Sequence, residues 1–500
     1  MDYYRTAPSN PSLLIATLLG ALVLSLLFWL AWLWVEWRPS PAKLKLAYCG
    51  FLLVLIYPME SVREYWNTEN YDLATNLVLV SIEALLGVGV VLVFAGNTRI
   101  VRAARRITLM LTLLIPSLVI DFTWSRLNAE PEAAYLPKTP QPALALHGAR
   151  RVVWVLFDEF DERLAFDLRQ PKVDLPELNR LRSESFVATQ AAQTAGWTML
   201  AVPSLLSGRI YTRAELVDAA TLEVYPEGST IGSSWGSEPN IFRRARDAGF
   251  NSALIGWHHP YCRVLGDSLV QCVDVPSGTP TPALLRETSA AKEGALRSVG
   301  SLLRLQVSNL TDMFRPGEST WETAADKYVQ KLQQGQYFQI RDLTYGAATD
   351  PKINLLFAHF PIPHPFGIYD SRRHDYTLSD SLSYADNLAL VDRTVGELRR
   401  TLEKAGMWDS TTVVITSDHG LRPDLWRGRS GWNEELERLT GGKQSPLVPF
   451  IVKLAEDPRG VVYDQPFSSV IEGDLILAVL QGQVTTTAGI AAWLDQHAPN

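Results

Sequence analysis

The sequence predicts an α/β domain on a largely parallel sheet, preceded by an α-helical transmembrane domain of four helices. Two observations carry this. Residues 12–124 are dominated by Leu, Val, Ile and Ala, whereas residues 125–500 have ordinary globular composition with charge spread throughout. In the second stretch, short apolar β-branched runs alternate with helical patterns, as parallel strands covered on both faces require. The 500 residues exceed one ordinary domain, which holds about 100–200 residues. A net charge of −7 excludes a general nucleic-acid binder, which needs a basic face to release counterions.

A membrane helix needs roughly 20 mostly apolar residues. Ser12–Val35 and Leu73–Ala95 meet that length, and Leu44–Glu60 and Ile107–Trp124 approach it. Pro116 in the last is tolerated, because neighbouring groups re-satisfy the backbone. No basic n-region precedes Ser12 and the apolar run outlasts an h-region, so the first segment does not read as a cleaved signal peptide. Arg38, Lys43 and Lys45 mark the first loop, and Arg99, Arg102, Arg105 and Arg106 the third. The second carries only Arg63 against Glu60, Glu64, Glu69 and Asp72. Loops one and three are therefore cytoplasmic. Four crossings put the N-terminus and everything after Trp124 outside. Glu83, in the middle of the third segment, is either a packing carboxyl facing the bundle or part of a lipid path. Asn128–Arg150, with Pro131, Pro137, Pro140 and Pro142, reads as an extended linker. The expected division is a membrane domain at 1–124, a linker at 125–149 and a catalytic domain at 150–500.

In the soluble part, Arg151–Phe157 (RVVWVLF) has the form of a buried central strand. Similar runs are Ser252–Trp257, Ile353–Phe360, Thr412–Thr416 and Leu447–Val452. The clearest helix is Tyr384–Ala405, apolar at 388, 391, 395, 398 and 402. Ligands of such sheets sit at the strands' carboxyl ends. Asp158-Glu159 follows the first run, and Asp418-His419-Gly420 follows Thr412–Ser417. An Asp after a strand also serves as a turn former or helix cap. Asp-His-Gly is more informative, because carboxylate and imidazole suit Zn²⁺ or Mn²⁺. Cys262 and Cys272 are the cysteines outside the apolar segments, Cys49 lying in the second. In an oxidising compartment such a pair is expected to form a disulfide.

The stretch YADNLALVDRTVGELRRTLEKAGMWDSTTVVITSDHG (384–420) resembles the sulfatase-type branch of the alkaline phosphatase superfamily. So do Val155–Asp158 leading through LPELNRL (175–181) to Phe186, TMLAVPSLLSGR (198–209), and HFPIPHPF (359–366). The ordered set covers about residues 150–455, and the resemblance implies an alkaline-phosphatase-like (sulfatase-type) fold. Sulfatases carry their nucleophile ten residues before the Gly of a closing L-T-G-R, and that count falls on Thr198. Thr194 is the fallback, and Thr189, Thr194 and Thr198 all serve equally as loop hydrogen-bonders. The resemblance implies one divalent ion, Zn²⁺ or Mn²⁺, held by Asp158, Asp418, His419 and the Thr198 oxygen. Glu159 takes the place of a further acidic residue, as a ligand or as a group behind the ligands. His364 corresponds to a residue that contacts the phosphate or protonates the leaving group, while His359, His258 and His259 are expected to be structural.

A membrane domain followed by such a domain resembles the phosphoethanolamine and phosphoglycerol transferases. The sulfatase C/S-x-P/A-x-R motif is missing, so sulfatase activity is not expected. No second pair of metal ligands is assigned, so one tight metal site is expected. The implied activity is phosphoryl-type transfer or hydrolysis through a Thr nucleophile, with a membrane lipid donor and an envelope lipid or glycan acceptor. The implied location is the bacterial inner or plasma membrane, with the catalytic domain extracytoplasmic, on the periplasmic side. A membrane-anchored phosphatase or sulfatase-like hydrolase is the alternative within enzymes. A catalytically inert envelope sensor or scaffold is the alternative outside them.

Overall fold

The computed structural model describes residues 2–4, 132–145, 150–170, 173–276, 320–379, 381–427 and 431–498, with single residues at 30, 37, 40 and 42. The four apolar segments, Glu83 and Cys49 lie outside the described residues. Among the described residues no helix is long and apolar enough to cross a membrane. The chain divides into two compact units. One joins Met1–Pro8 to Glu130–Arg286 and Ser308–Asn500, and the other gathers Ser9–Ala129 and Glu287–Val307. The described turn Asp2–Tyr4 therefore belongs to the catalytic unit.

The catalytic unit is built on eight strands: β1 (Arg151–Phe157), β2 (Phe186–Ala188), β3 (Ser252–His258), β4 (Gln271–Pro276), β5 (Leu355–Phe360), β6 (Thr411–Ser417), β7 (Phe450–Lys453) and β8 (Val461–Tyr463). Their order across the sheet is β8-β2-β7-β6-β1-β5-β3-β4. The strand β1 is central and parallel to both neighbours, pairing Trp154 with Val414 on one side and with Phe357 on the other. Side chains alternate across a strand. Accordingly Val152, Trp154 and Leu156 enter one core and Val153, Val155 and Phe157 the other. All seven residues of β1 are buried, which is why Val152–Phe157 is apolar throughout rather than alternating.

Arg151–Phe157 recurs with the same bounds, the other expected runs recur with shifted ends, and Leu447–Val452 departs most. The strand there is Phe450–Lys453 and runs antiparallel to both β6 and β2. Four residues buried on both faces look alike in either direction, so composition carries no sign of polarity.

Helix α1 (Pro176–Ser183) follows β1, α2 (Thr198–Ser207) follows β2, and the short α3 (Tyr261–Leu265) joins β3 to β4. Cys262 in α3 is disulfide-bonded to Cys272 in β4, ten residues on, with Cα atoms 5.6 Å apart. Helices α4 (Thr320–Thr349) and α5 (Tyr384–Lys404) then flank β5 in sequence. A capping box between Ser383 and Asp386 starts α5, satisfying donors that a helix end leaves unpaired. Asp392, six residues further along, accepts the backbone N–H of Leu178 at 2.7 Å. It thereby caps α1, whose own N-cap residue, Leu175, makes no side-chain bond. The helix that follows β1 is thus capped by a carboxyl group from another helix.

Candidate active site

The residues singled out from sequence converge where β1, β6 and α2 meet. Asp158 follows the last residue of β1, Asp418 and His419 follow β6, and Thr198 opens α2. All four are buried. Thr198 Oγ1 lies 3.4 Å from Asp158 Oδ2 and 3.3 Å from His419 Nε2. His419 Nε2 lies 3.6 Å from Asp158 Oδ1 and 3.4 Å from Asp418 Oδ2. Asp158, Asp418 and His419 each offer one donor atom, all within 4.8 Å of one another.

The second coordination of each group fixes these positions. His419 Nδ1 is 3.0 Å from the carbonyl of Gly420. A carbonyl only accepts, so Nδ1 carries the proton and Nε2 presents its lone pair to the site. Asp418 Oδ1 accepts the backbone N–H groups of His419 (2.9 Å) and Glu159 (3.3 Å). Gly420 is required here for close approach: a Cβ would sit 2.6 Å from the Ser445 carbonyl. Two glutamines tie the turn to the threonine loop. Gln193 Oε1 accepts from Gly420 N at 2.9 Å, and Gln444 Nε2 reaches the carbonyls of Gly196 (3.0 Å) and Gly420 (3.1 Å).

Burial, and then the charges of Asp418 and Glu159, hold the Asp158 carboxyl well above the usual range. Burial raises Asp418 as well. Burial, with Arg422 nearby, pushes His419 down to about 3. Two carboxylates and a neutral imidazole in a dry pocket are short of positive charge. Asp158 Oδ1 and Asp418 Oδ2 make no hydrogen bond although buried. Unpaired buried acceptors are costly, and a divalent cation would satisfy both. The donor set fits Zn²⁺ or Mn²⁺.

Glu159 stands outside that group. Its backbone has φ of 64°, and its carboxylate turns to Arg422 Nε at 2.8 Å and Trp426 Nε1 at 3.2 Å. Both Glu159 carboxylate oxygens are thus engaged by Arg422 and Trp426. Thr194 gives its hydroxyl to the Ala201 carbonyl at 3.2 Å, bracing the loop before α2. His364 is part-buried against Trp257, ring centroids 5.2 Å apart, and its Nδ1 lies 2.6 Å from the Pro365 carbonyl. Its loop is gripped by two amides. Asn387 Nδ2 faces the carbonyls of Pro363 (3.3 Å), His364 (3.2 Å) and Phe366 (2.9 Å). Gln333 Nε2 faces those of Pro361 (2.7 Å) and His364 (3.0 Å).

Sequence reasoning missed Arg422 and the partners of the neighbouring histidines. His359, expected to be structural, is fully buried with Nδ1 on the Tyr261 hydroxyl at 2.8 Å, while its Nε2 makes no hydrogen bond. Burial keeps it neutral, down to about 3. His259 lies beneath the threonine, Nε2 3.2 Å from the Thr198 carbonyl. Arg422 was legible in principle, two residues past the ligand turn.

A buried Asp, Thr, Asp and His gathered at the carboxyl edge of a doubly covered α/β sheet, three of them able to hold a metal ion, define the class: an α/β hydrolase or transferase. More narrowly, the chain belongs to the type I phosphodiesterase / nucleotide pyrophosphatase family, which matches residues 152–424. A bis(5'-adenosyl)-triphosphatase of Xenopus laevis is 42% identical over 52 residues, 10% of this chain and 12% of that protein. The chain thus spans about an eighth of the curated relative's length in that match. Among solved structures, an alkaline phosphatase superfamily protein from Vibrio parahaemolyticus is 13% identical, with TM-score 0.38, covering 70% of this chain and 71% of that one. The phosphonate monoester hydrolase of Agrobacterium radiobacter is 14% identical, with TM-score 0.40, covering 66% and 74%.

Proposed function

We propose that this chain is a metal-dependent phosphoryl-type transferase or hydrolase that acts on a phosphodiester through Thr198. We place it in the bacterial plasma membrane with the catalytic unit outside, taking a lipid donor and an envelope lipid or glycan acceptor. The observation that carries the reading is the placement of the Thr198 hydroxyl, 3.4 Å from Asp158 Oδ2 and 3.3 Å from His419 Nε2.

A threonine hydroxyl is a weak nucleophile unless a base or a metal activates it. Asp158, Asp418, His419 and Thr198 would hold the ion. Bound there, a divalent cation neutralises phosphate charge and lowers the pKa of a hydroxyl. Asp158 accepts the Thr198 hydrogen bond and takes its proton as the oxygen attacks phosphorus. The bond from phosphorus to the leaving oxygen breaks, leaving a phospho-Thr198 intermediate. His364, on its clamped loop, gives the departing oxygen a proton. A second acceptor then attacks phosphorus and returns the hydroxyl to Thr198. The relative's name, a triphosphatase, supports water as that acceptor. The apolar N-terminal segments support a lipid or glycan hydroxyl.

The test is Thr198→Ala in the full chain, with bis(p-nitrophenyl) phosphate turnover and metal content measured together. Turnover should fall at least about a hundredfold while metal is retained, because three ligands remain. Asp418→Ala should lose both. Turnover in Thr198→Ala within about tenfold of wild type would move the nucleophile elsewhere, Thr194 being the next candidate. Mass spectrometry of envelope lipids and glycans, with and without the gene, separates transfer from hydrolysis.

A further inference from the structure

The N-terminal residues reach the underside of the catalytic loop. Asp2–Tyr4 forms one 3-10 turn within the catalytic unit. Tyr3 is fully buried. Its hydroxyl lies 3.1 Å from His259 Nδ1, and its backbone carbonyl accepts from Arg263 Nη2 at 2.8 Å. Beside it, the Tyr4 hydroxyl lies 3.2 Å from His258 Nε2. On the far side of the His259 ring, Nε2 lies 3.2 Å from the Thr198 carbonyl.

The directions of these bonds follow from what each atom can do. The Thr198 carbonyl only accepts, so His259 Nε2 carries the hydrogen. The other ring nitrogen of a neutral imidazole is then an acceptor, and the Tyr3 hydroxyl donates to it. The Tyr3 hydroxyl thereby selects the tautomer whose N–H grips the backbone of Thr198. In the other tautomer a lone pair would face the carbonyl. Packing alone would be served as well by a phenylalanine ring. The buried hydroxyl is the part that needs an explanation.

We propose that Tyr3 is a positioning residue for Thr198, acting through His259; this rests on Thr198 being the nucleophile. The N-terminal turn is then a component of the catalytic loop. A nucleophile whose backbone loses one anchor drifts from the attacking geometry, and displacements near 1 Å cost about a hundredfold in rate.

The experiment uses the full chain in detergent micelles, loaded with Mn²⁺ or Zn²⁺, with bis(p-nitrophenyl) phosphate as substrate. Tyr3→Phe keeps the ring and removes the hydroxyl. Its kcat should fall about tenfold to a hundredfold, with KM changed less than about twofold. Adding Tyr3→Phe to His259→Gln should cost nothing further, because the relay is already cut. Independently of turnover, amide hydrogen exchange in residues 197–202 should quicken in Tyr3→Phe and stay unchanged in β1 and β6. A kcat within about twofold of wild type, full additivity with His259→Gln, or unchanged exchange at residues 197–202 would each overturn the proposal. If the wild-type chain fails to turn over any diester, the reading of Thr198 as nucleophile fails, and the exchange measurement still decides whether Tyr3 anchors this loop.

Discussion

Removing the amide of Asn387 tests how the His364 loop is held. The side chain is buried. It donates toward the carbonyls of Pro363, His364 and Phe366 and accepts the N–H of Ile368 at 3.2 Å. An NH₂ group has two hydrogens, so the three carbonyls share two donors. With the accepted bond this makes three hydrogen bonds, each worth about 1 kcal/mol net. Asn387→Ala should therefore destabilise the unit by about 3 kcal/mol, with part of the loss spared because Gln333 still reaches His364. Asn387→Asp should be worse, since it keeps the acceptor for Ile368 but sets a carboxylate against three carbonyls. Thermal unfolding by intrinsic fluorescence and diester turnover should be read on the same samples. The Ala variant should melt several degrees lower and lose about tenfold or more in kcat/KM as His364 loosens. If melting temperature and kcat/KM both matched wild type, the clamp would not be what holds the loop.

Three further outcomes follow from the structure. Thiol labelling of the unreduced, unfolded chain should find Cys49 alone, and Cys262→Ala with Cys272→Ala should cost about 3 kcal/mol by the chain-entropy estimate; labelling of all three cysteines contradicts the bond. Gly420→Ala puts a Cβ 2.6 Å from the Ser445 carbonyl, so the ligand turn must shift and Mn²⁺ affinity should fall about tenfold or more; affinity equal to wild type would show that the turn has slack. Burial raises Asp158 and Asp418, so each binds a proton more readily than a free carboxylate does. A cation must displace those protons, so Mn²⁺ affinity should weaken as pH falls and binding should release protons. Calorimetry in two buffers of different ionisation enthalpy checks this, and pH-independent affinity would contradict it.

The legible parts of this molecule are those whose neighbours hardly matter. Arg151–Phe157 shows its bounds because both faces are buried, so the six residues after Arg151 are apolar whatever they touch. The ligand turn is legible because Asp, His and Gly each serve it through their own chemistry. Glu159 was left between two roles because its partners, Arg422 and Trp426, stand 263 and 267 residues away. The 30-residue helix Thr320–Thr349 went unnoticed because its glutamines point inward to carbonyls. Gln330 and Gln333 are buried, which blurs the apolar stripe that betrays a helix. His258 and His259 look like loop residues until Tyr3 and Tyr4 arrive beside them.

That arrival changes what the catalytic unit contains. The catalytic unit is not a C-terminal piece that can be cut free at the Pro-rich segment, since its sequence includes Met1–Pro8. In chain order, Ser9–Ala129 is an insertion into it. A soluble fragment starting at Glu130 would expose the slot that Tyr3 fills. It would leave Arg263 without the carbonyl it binds and His259 without its donor. Loss of activity in such a fragment would then report a missing part of the enzyme, not a need for lipid. Supplying a short peptide with the sequence of residues 1–8 distinguishes the two.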